Sequence, residues 1–305
     1  MEKTVAYAID QNHLGIKIDQ LLSDLYNGIY NLRELSELID SSIYMQKSSI
    51  VECQIKTMGG MEEWAKGVIK IKDNNDITCD WYHQFWPYFR LLNMVAVPKW
   101  YPFYIEAITS FLQEKPEANV FISACADYGM LAKLHKGIEK AKAKPNIVIH
   151  DICRTPLLSS KWYAERHNLK IDCHVNDIIN GDINDESFDL IVTDEFLSVL
   201  KSTYKPLITE KWRKILKPGG RVITTAMIGR ETTQERRDYF AAKAKMLATE
   251  HSEVLFPSFV KNNRMDDLYT GLENFAQKHT RHMLKGAKEL KKLFSNFKNL
   301  GSSPD

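Results

Sequence analysis

Between residues 118 and 228, five short apolar runs alternate with helical stretches: NVFISA (119–124), NIVIHDI (146–152), KIDCHV (170–175), FDLIVTDEF (188–196) and GRVITTAMI (220–228). The intervening segments GMLAKLHKGIEKAKA, PLLSSKWYAERHN and KPLITEKWRKIL are each long enough to cross back over a sheet. That rhythm specifies an α/β fold with a doubly wound, mainly parallel sheet. The flanks are helical. Leu14, Ile18, Leu21, Leu22, Leu25, Ile29, Leu32 and Leu35 recur at spacings of three and four, which predicts one apolar helical stripe within residues 14–60. Gly59-Gly60 and KDNNDIT (72–78) read as turns, and the aromatic-rich stretch 81–112 is cut by Pro87, Pro98 and Pro102 into short helices before a longer one from about 102 to 113. After Arg230 the pattern is helical again to about residue 297. The expected organisation is a helical cap (1–115), an α/β core (116–230) and a helical C-terminal segment (231–305).

In an open parallel sheet, ligands bind beyond the carboxyl ends of the strands, near the point where strand order reverses. Four such ends carry suggestive residues. The first strand runs through Ser123 into Ala124, Cys125, Ala126, Asp127, Tyr128 and Gly129, small side chains that let backbone N–H groups and the positive end of the next helix approach a ligand. The second ends at Asp151, followed by Ile152; 151 − 129 places this carboxylate 22 residues past Gly129, near the spacing at which an acidic residue meets ribose hydroxyls. The third runs into Asn176, Asp177 and Ile178, a carboxylate for an adenine amino group beside an apolar side chain for a ring face. The fourth brings Asp194 and Glu195 to the same rim, and ILKPGG then supplies a helix end and a Pro218-Gly219-Gly220 turn before the fifth strand.

The segment from Val120 to Ile228 resembles the class I S-adenosylmethionine-dependent methyltransferases, which carry a glycine-rich first loop, an acidic second strand end, an adenine-contacting Asp, an FDxI strand and an LKPGG turn in this order; here these are FISACADYG, IVIHDI, VNDI, FDLIV and ILKPGG. The resemblance implies a Rossmann-like methyltransferase fold with S-adenosylmethionine as cofactor, Asp151 at the ribose, Asp177 at the adenine and residues 123–129 around the methionine moiety. Two departures stand out. Ala124 and Ala126 occupy positions usually held by Gly, so the loop stays small but loses easy access to positive φ. The usual closing antiparallel hairpin is replaced by residues that read as helical.

Because the sulfonium is an activated donor, such an enzyme chiefly aligns donor and acceptor and excludes water. Trp81, Tyr82, Trp86, Tyr88, Trp100, Tyr101 and Tyr104 lie just before the sheet and suit a lid. Within that segment Tyr82, Trp86, Tyr88 and Arg90, with Glu195 on the rim, are candidate acceptor contacts; Arg90 could bind a carboxylate by its fork of N–H groups. His83, Tyr82 and Asp194 are candidate proton acceptors for a hydroxyl substrate.

The net charge of +2, from 41 Lys and Arg against 39 Asp and Glu, gives no strong field for nucleic acid or a membrane surface. A small-molecule acceptor is therefore expected, whether amine, amino acid, thioether or hydroxyl. An RNA or protein substrate, and a non-catalytic binding protein on the same fold, are the alternatives; a nicotinamide oxidoreductase would need G-x-G-x-x-G in the first loop. No apolar run of about 18 residues and no leader pattern is present, so a cytoplasmic location is expected, with a homo-oligomer left open. Five scattered cysteines (Cys53, Cys79, Cys125, Cys153, Cys173) without a C-x-x-C pair suit buried thiols and offer no metal site.

Overall fold

In the computed structural model, which describes residues 11–28, 30–52, 80–95, 101–229 and 232–298, the five apolar runs form one sheet. Gly59-Gly60, segment 72–78, Pro98, Trp100, Cys53 and Cys79 lie outside the described residues. The strands β1 (Asn119–Ser123), β2 (Asn146–Asp151), β3 (Asp172–Val175), β4 (Phe188–Thr193) and β5 (Leu216–Thr224) are ordered β3-β2-β1-β4-β5, and every pairing is parallel. The chain steps outward from β1 to β3 and then returns to add β4 on the other side of β1. Strand order therefore reverses between β1 and β4, which opens a crevice at their carboxyl ends.

Apolar residues on both sides of the central strands make this sheet a two-sided core. β4 is buried along its whole length. On β1, Val120 and Ile122 face one apolar cluster and Phe121 faces the other, as the two-residue strand period requires. The crossovers are α5 (Gly129–Ala141) after β1, α6 (Arg154–Arg166) after β2, and the short α7 (Phe196–Val199) followed by α8 (Lys205–Ile215) after β4. α5 ends at Lys142 in the left-handed conformation, a role more often taken by Gly.

N-terminal to the sheet are α1 (Gln11–Asp24), α2 (Leu32–Glu52), α3 (Asp80–Leu91) and α4 (Tyr101–Glu114). The predicted single stripe is broken between α1 and α2, where Asn27 and Gly28 take positive φ of 50° and 68°. The Asn-Gly dipeptide was the overlooked turn signal. Asn31 then opens α2 with a capping box: its Oδ1 accepts the Glu34 N–H at 3.0 Å and Glu34 Oε2 accepts the Asn31 N–H at 2.9 Å. Pro87 does not end its helix; α3 runs through it to Leu91. Pro102 sits in the first turn of α4, where no backbone donor is lost.

The C-terminal part is helical, as expected: α9 (Gln234–Glu250), α10 (Ser252–Leu255), α11 (Pro257–Lys261), α12 (Met265–Lys278) and α13 (Ala287–Leu293). Among the described residues no antiparallel strands close the sheet. Residues 279–284 instead return beside the end of β5, with one parallel bridge between Ile228 and Leu284. The Pro-Gly-Gly turn lies inside β5 as an irregularity: Phe188 pairs with Leu216 and Leu190 with Arg221, and Gly219 takes φ 78°. One continuous apolar cluster joins Leu35 and Phe89 from the N-terminal helices, Ile122 and Ile149 from the sheet, and Leu272 and Phe275 from α12.

Candidate functional site

The crevice at the strand-order reversal is a cavity of about 150 Å³, walled by the residues after β1, β2 and β4, by one face of α3, and by His279 and Arg281 just after α12. A smaller hollow of about 40 Å³ adjoins it, sharing Ala124, Asp151, Ile152 and Phe196 and adding Asp177, Ile178 and Ile179.

The first loop has the shape its sequence makes costly. Ala124 takes φ 64°, the left-handed region that glycine adopts freely and alanine does not. Its N–H still reaches the His150 carbonyl at 3.0 Å, so the β1–β2 ladder continues into the turn. Ala126 shows no positive φ. Asp127, buried, accepts the Gly129 N–H at 2.7 Å and the Arg90 Nη1–H at 2.7 Å. The Arg90 guanidinium also lies 4.8 Å from the Tyr128 ring centroid. A side chain of α3 thus clamps the loop, and a methyl group at Gly129 would stand 2.8 Å from Asp127 Oδ1.

Asp151 is buried and faces no cation in an ion pair among the described residues. Its two oxygens accept the N–H groups of Cys125 (2.9 Å) and Cys153 (2.8 Å). Burial, the largest influence, and the Cys153 thiol outweigh those hydrogen bonds and push its pKa up to about 7. Asp194 is the opposite case. It accepts from Lys133 Nζ (2.5 Å), Thr225 Oγ1 (2.9 Å) and the Tyr104 hydroxyl (3.0 Å). Burial would raise its carboxyl, yet Lys133 with these hydroxyls holds it below the usual carboxylate range. Asp177 Oδ1 accepts the Ile179 N–H and Oδ2 the Asn180 side-chain N–H, shaping the turn that carries Ile178 into the smaller hollow.

From the cap, Tyr82 centres an aromatic cluster. Its ring lies 5.2 Å from Trp86, 5.4 Å from Phe275, 5.1 Å from His83 and 5.8 Å from His279. Both histidines are buried but sit in opposed fields. Burial would lower the His83 imidazole, but Cys153 and Asp151 carry it above its ordinary value. Burial, Arg281 and Arg237 together hold His279 well below it. Arg281 faces Glu195 at 3.8 Å.

Of the residues singled out in the sequence, Tyr82, His83, Trp86, Arg90, Ala124, Ala126, Asp127, Gly129, Asp151, Ile152, Asp194 and Glu195 line the larger cavity, and Asp177 and Ile178 the smaller. Ser123, Asn176, Tyr88 and the lid candidate Tyr104 reach neither. Ser123 is fully buried and accepts the Trp212 indole N–H at 2.8 Å on the far side of the sheet. Asn176 points back to His150. Tyr88 packs edge-on against Phe256 and Phe259. The sequence reading missed Lys133, Cys153, His279 and Arg281. Lys133 lies within a helix that read only as a crossover, and His279 and Arg281 lie in the stretch after Arg230 that read only as helical; neither carried a local motif.

Residues 128–224 match a family described as "Methyltransferase domain". Among solved structures the chain is similar to the PH0226 protein of Pyrococcus horikoshii (19% identity, covering 53% of this chain and 87% of that one, TM-score 0.36). It is similar to a Methanosarcina mazei S-adenosylmethionine-dependent methyltransferase (16%, 62% and 82%, TM-score 0.41). It also resembles an S-adenosylmethionine-dependent methyltransferase of Mesorhizobium loti (17%, 40% and 53%, TM-score 0.32), spanning about half the length of that protein. No curated protein matches the chain.

Proposed function

We propose that this chain, whose residues 128–224 match a methyltransferase-domain family, moves a methyl group from S-adenosylmethionine to a small-molecule acceptor held under its helical cap. The observation that carries the donor half is Asp151: a buried carboxylate at the carboxyl end of β2, charge-unpaired, with lone pairs left after its two backbone hydrogen bonds. A pair of vicinal ribose hydroxyls suits it. Asp177 and Ile178 in the adjoining hollow would take the adenine edge and face, and the loop 124–129 the methionine end. When bound, the cofactor supplies a methyl group on a positively charged sulfur. The other cavity cations, Arg90, Lys133 and Arg281, each face a carboxylate of their own, so the wall adds no unpaired positive charge to repel it.

The small-molecule part of the reading rests on the size of the cavity. Helix α3 and residues 279–281 stand over part of the strand ends and border a partly open cavity of about 150 Å³, a size that suits a compact acceptor. Helix α3 and residues 279–281 act on this reading as one lid. Isothermal titration with S-adenosylmethionine tests the donor half. Micromolar binding that Asp151→Ala weakens by about 2–3 kcal/mol, with the fold retained, is expected; unchanged affinity in the variant removes the ribose assignment.

A further inference from the structure

Residues 277–284, the return that brings Arg281 to the cavity, are held at several points. Buried Arg237 on α9 donates to the Gln277 carbonyl at 2.6 Å, to the His279 carbonyl at 2.9 Å and to Thr280 Oγ1 at 2.9 Å. The His282 N–H donates to the Ser198 carbonyl at 2.7 Å, the Leu284 N–H to the Met227 carbonyl at 2.9 Å, and the Gly229 N–H to the Leu284 carbonyl at 2.9 Å. The backbone on either side of Arg281 is thus fixed before any ligand arrives, and the Arg281 side chain lines the larger cavity.

The three cations of the cavity wall are engaged to different degrees. Arg90 donates to Asp127 at 2.7 Å and Lys133 to Asp194 at 2.5 Å. Arg281 meets Glu195 at 3.8 Å through Nη1, an ionic contact too long for a hydrogen bond, and the same Nη1 donates to Met227 Sδ at 2.7 Å. Its Nε and Nη2 hydrogen-bond to no described residue, and neither is sealed from solvent, whereas the spare Arg90 Nε is. Together these two atoms make the side edge of the guanidinium, whose parallel N–H bonds match the two oxygens of a carboxylate. Glu195 engages the other end of the group from a left-handed backbone, φ 52°, a conformation costly for a residue with a Cβ and one that persists where the surroundings impose it. A single carboxylate satisfies the open edge. A phosphate dianion would meet Glu195 and find no second open cation among the described cavity residues, since Asp127 and Asp194 hold Arg90 and Lys133.

We propose that Arg281 determines the specificity of the acceptor site: its Nε–Nη2 edge takes the carboxylate of a small carboxylic acid, which anchors the molecule while a separate nucleophilic atom faces the donor methyl group. This rests on the donor reading given above. The methionine part of the donor carries a carboxylate too, but the loop 124–129 expected around it follows β1, whereas Arg281 stands against Glu195 beyond the end of β4. Binding the acid by this edge leaves the Glu195 contact in place, because that contact uses Nη1.

The test offers the full chain, with S-adenosylmethionine, acids that differ in their nucleophile, each beside its own amide: 4-hydroxybenzoate, 4-(aminomethyl)benzoate and 3-mercaptopropionate. Release of S-adenosylhomocysteine is expected with at least one acid, at a kcat/KM about tenfold or more above its amide. Arg281→Gln should raise the KM of that acid by about tenfold or more and erase its advantage over the amide, with the calorimetric Kd for S-adenosylmethionine within about twofold of the parent. A purely structural role would slow acid and amide alike. Arg281→Lys, which keeps the charge and loses the fork, should raise the KM of the acid severalfold, and it carries the test if Arg281→Gln fails to fold. Turnover of every amide equal to or above its acid, no turnover of any acid by a sample that binds the donor, or an acid preference that survives in Arg281→Gln overturns the inference and leaves the donor reading standing. So does a loss of S-adenosylmethionine affinity in Arg281→Gln while 5′-methylthioadenosine, which lacks the amino-acid part, binds as before, because the edge would then hold the donor's own carboxylate. A folded sample that binds no S-adenosylmethionine overturns both.

Discussion

At the scale of single residues, Ala124 and Asp151 are the two rim positions whose backbone and burial differ most from what their side chains favour. Ala124 holds a left-handed backbone where the Cβ costs roughly 1–2 kcal/mol. Ala124→Gly removes that cost but adds freedom to the unfolded chain, so a net gain of about 0.5–1 kcal/mol is expected in denaturant melts. A loss instead would mean that the methyl group packs usefully. Asp151 binds its proton up to about pH 7 in the fold but only to 3.8 when unfolded. The folded state therefore holds more protons between these values; the group's stabilising contribution is complete below the lower one and lost as pH rises through the upper. Ribose hydroxyls donate to the carboxylate and would reverse that shift. Donor titration at pH 7 in two buffers of different ionisation heat should register release of about half a proton; buffer-independent heats would argue that Asp151 does not meet the ribose. Asp151 was legible from its distance along the chain, because the strand–turn–helix repeat fixes which residues end at the rim. Ala124 was legible only as a small residue, since nothing in an alanine announces positive φ.

Among elements, α3 matters most, and it was the least readable. Its aromatics marked a lid, but not which rings face the cavity, because Pro87 suggested a break where the helix continues. Arg90 drew notice as a possible carboxylate binder; its fixed partner, Asp127, lies across a sequence gap that no local pattern spans. Both members are almost fully buried, so Arg90→Ala would strand the Asp127 carboxylate and should destabilise the fold by about 3–5 kcal/mol. Comparison with Asp127→Asn and the double variant in thermal melts isolates the coupling, and additive losses would show that the pair does not act as a unit. Against the same helix packs α12 at Gly271, where an added Cβ would stand 1.7 Å from the Phe85 ring. Gly271→Ala should cost about 1–3 kcal/mol through forced repacking and weaken acceptor turnover more than donor affinity; a neutral melt would mean that α12 slides freely on α3.

For the molecule as a whole, the five-stranded order was readable from the alternation of runs, whereas the closing of the site was not. In place of the hairpin usual in such folds, residues 279–284 return beside the segment that follows β5, and only long-range packing reveals that this return supplies a cavity wall. Because one apolar cluster runs through the N-terminal helices, the sheet and α12, thermal unfolding should be a single transition. S-adenosylmethionine at 100 times its Kd should stabilise it by about 2.7 kcal/mol; two separate transitions would show that cap and core melt independently. The order of the parts along the chain adds a temporal consequence. Every donor-side group from Ala124 to Asp194 has been synthesised well before His279 and Arg281 leave the ribosome. On the proposed reading, a growing chain thus completes the donor-side wall before the wall that closes over it, and the final helical quarter acts as a delayed safety catch on the reaction.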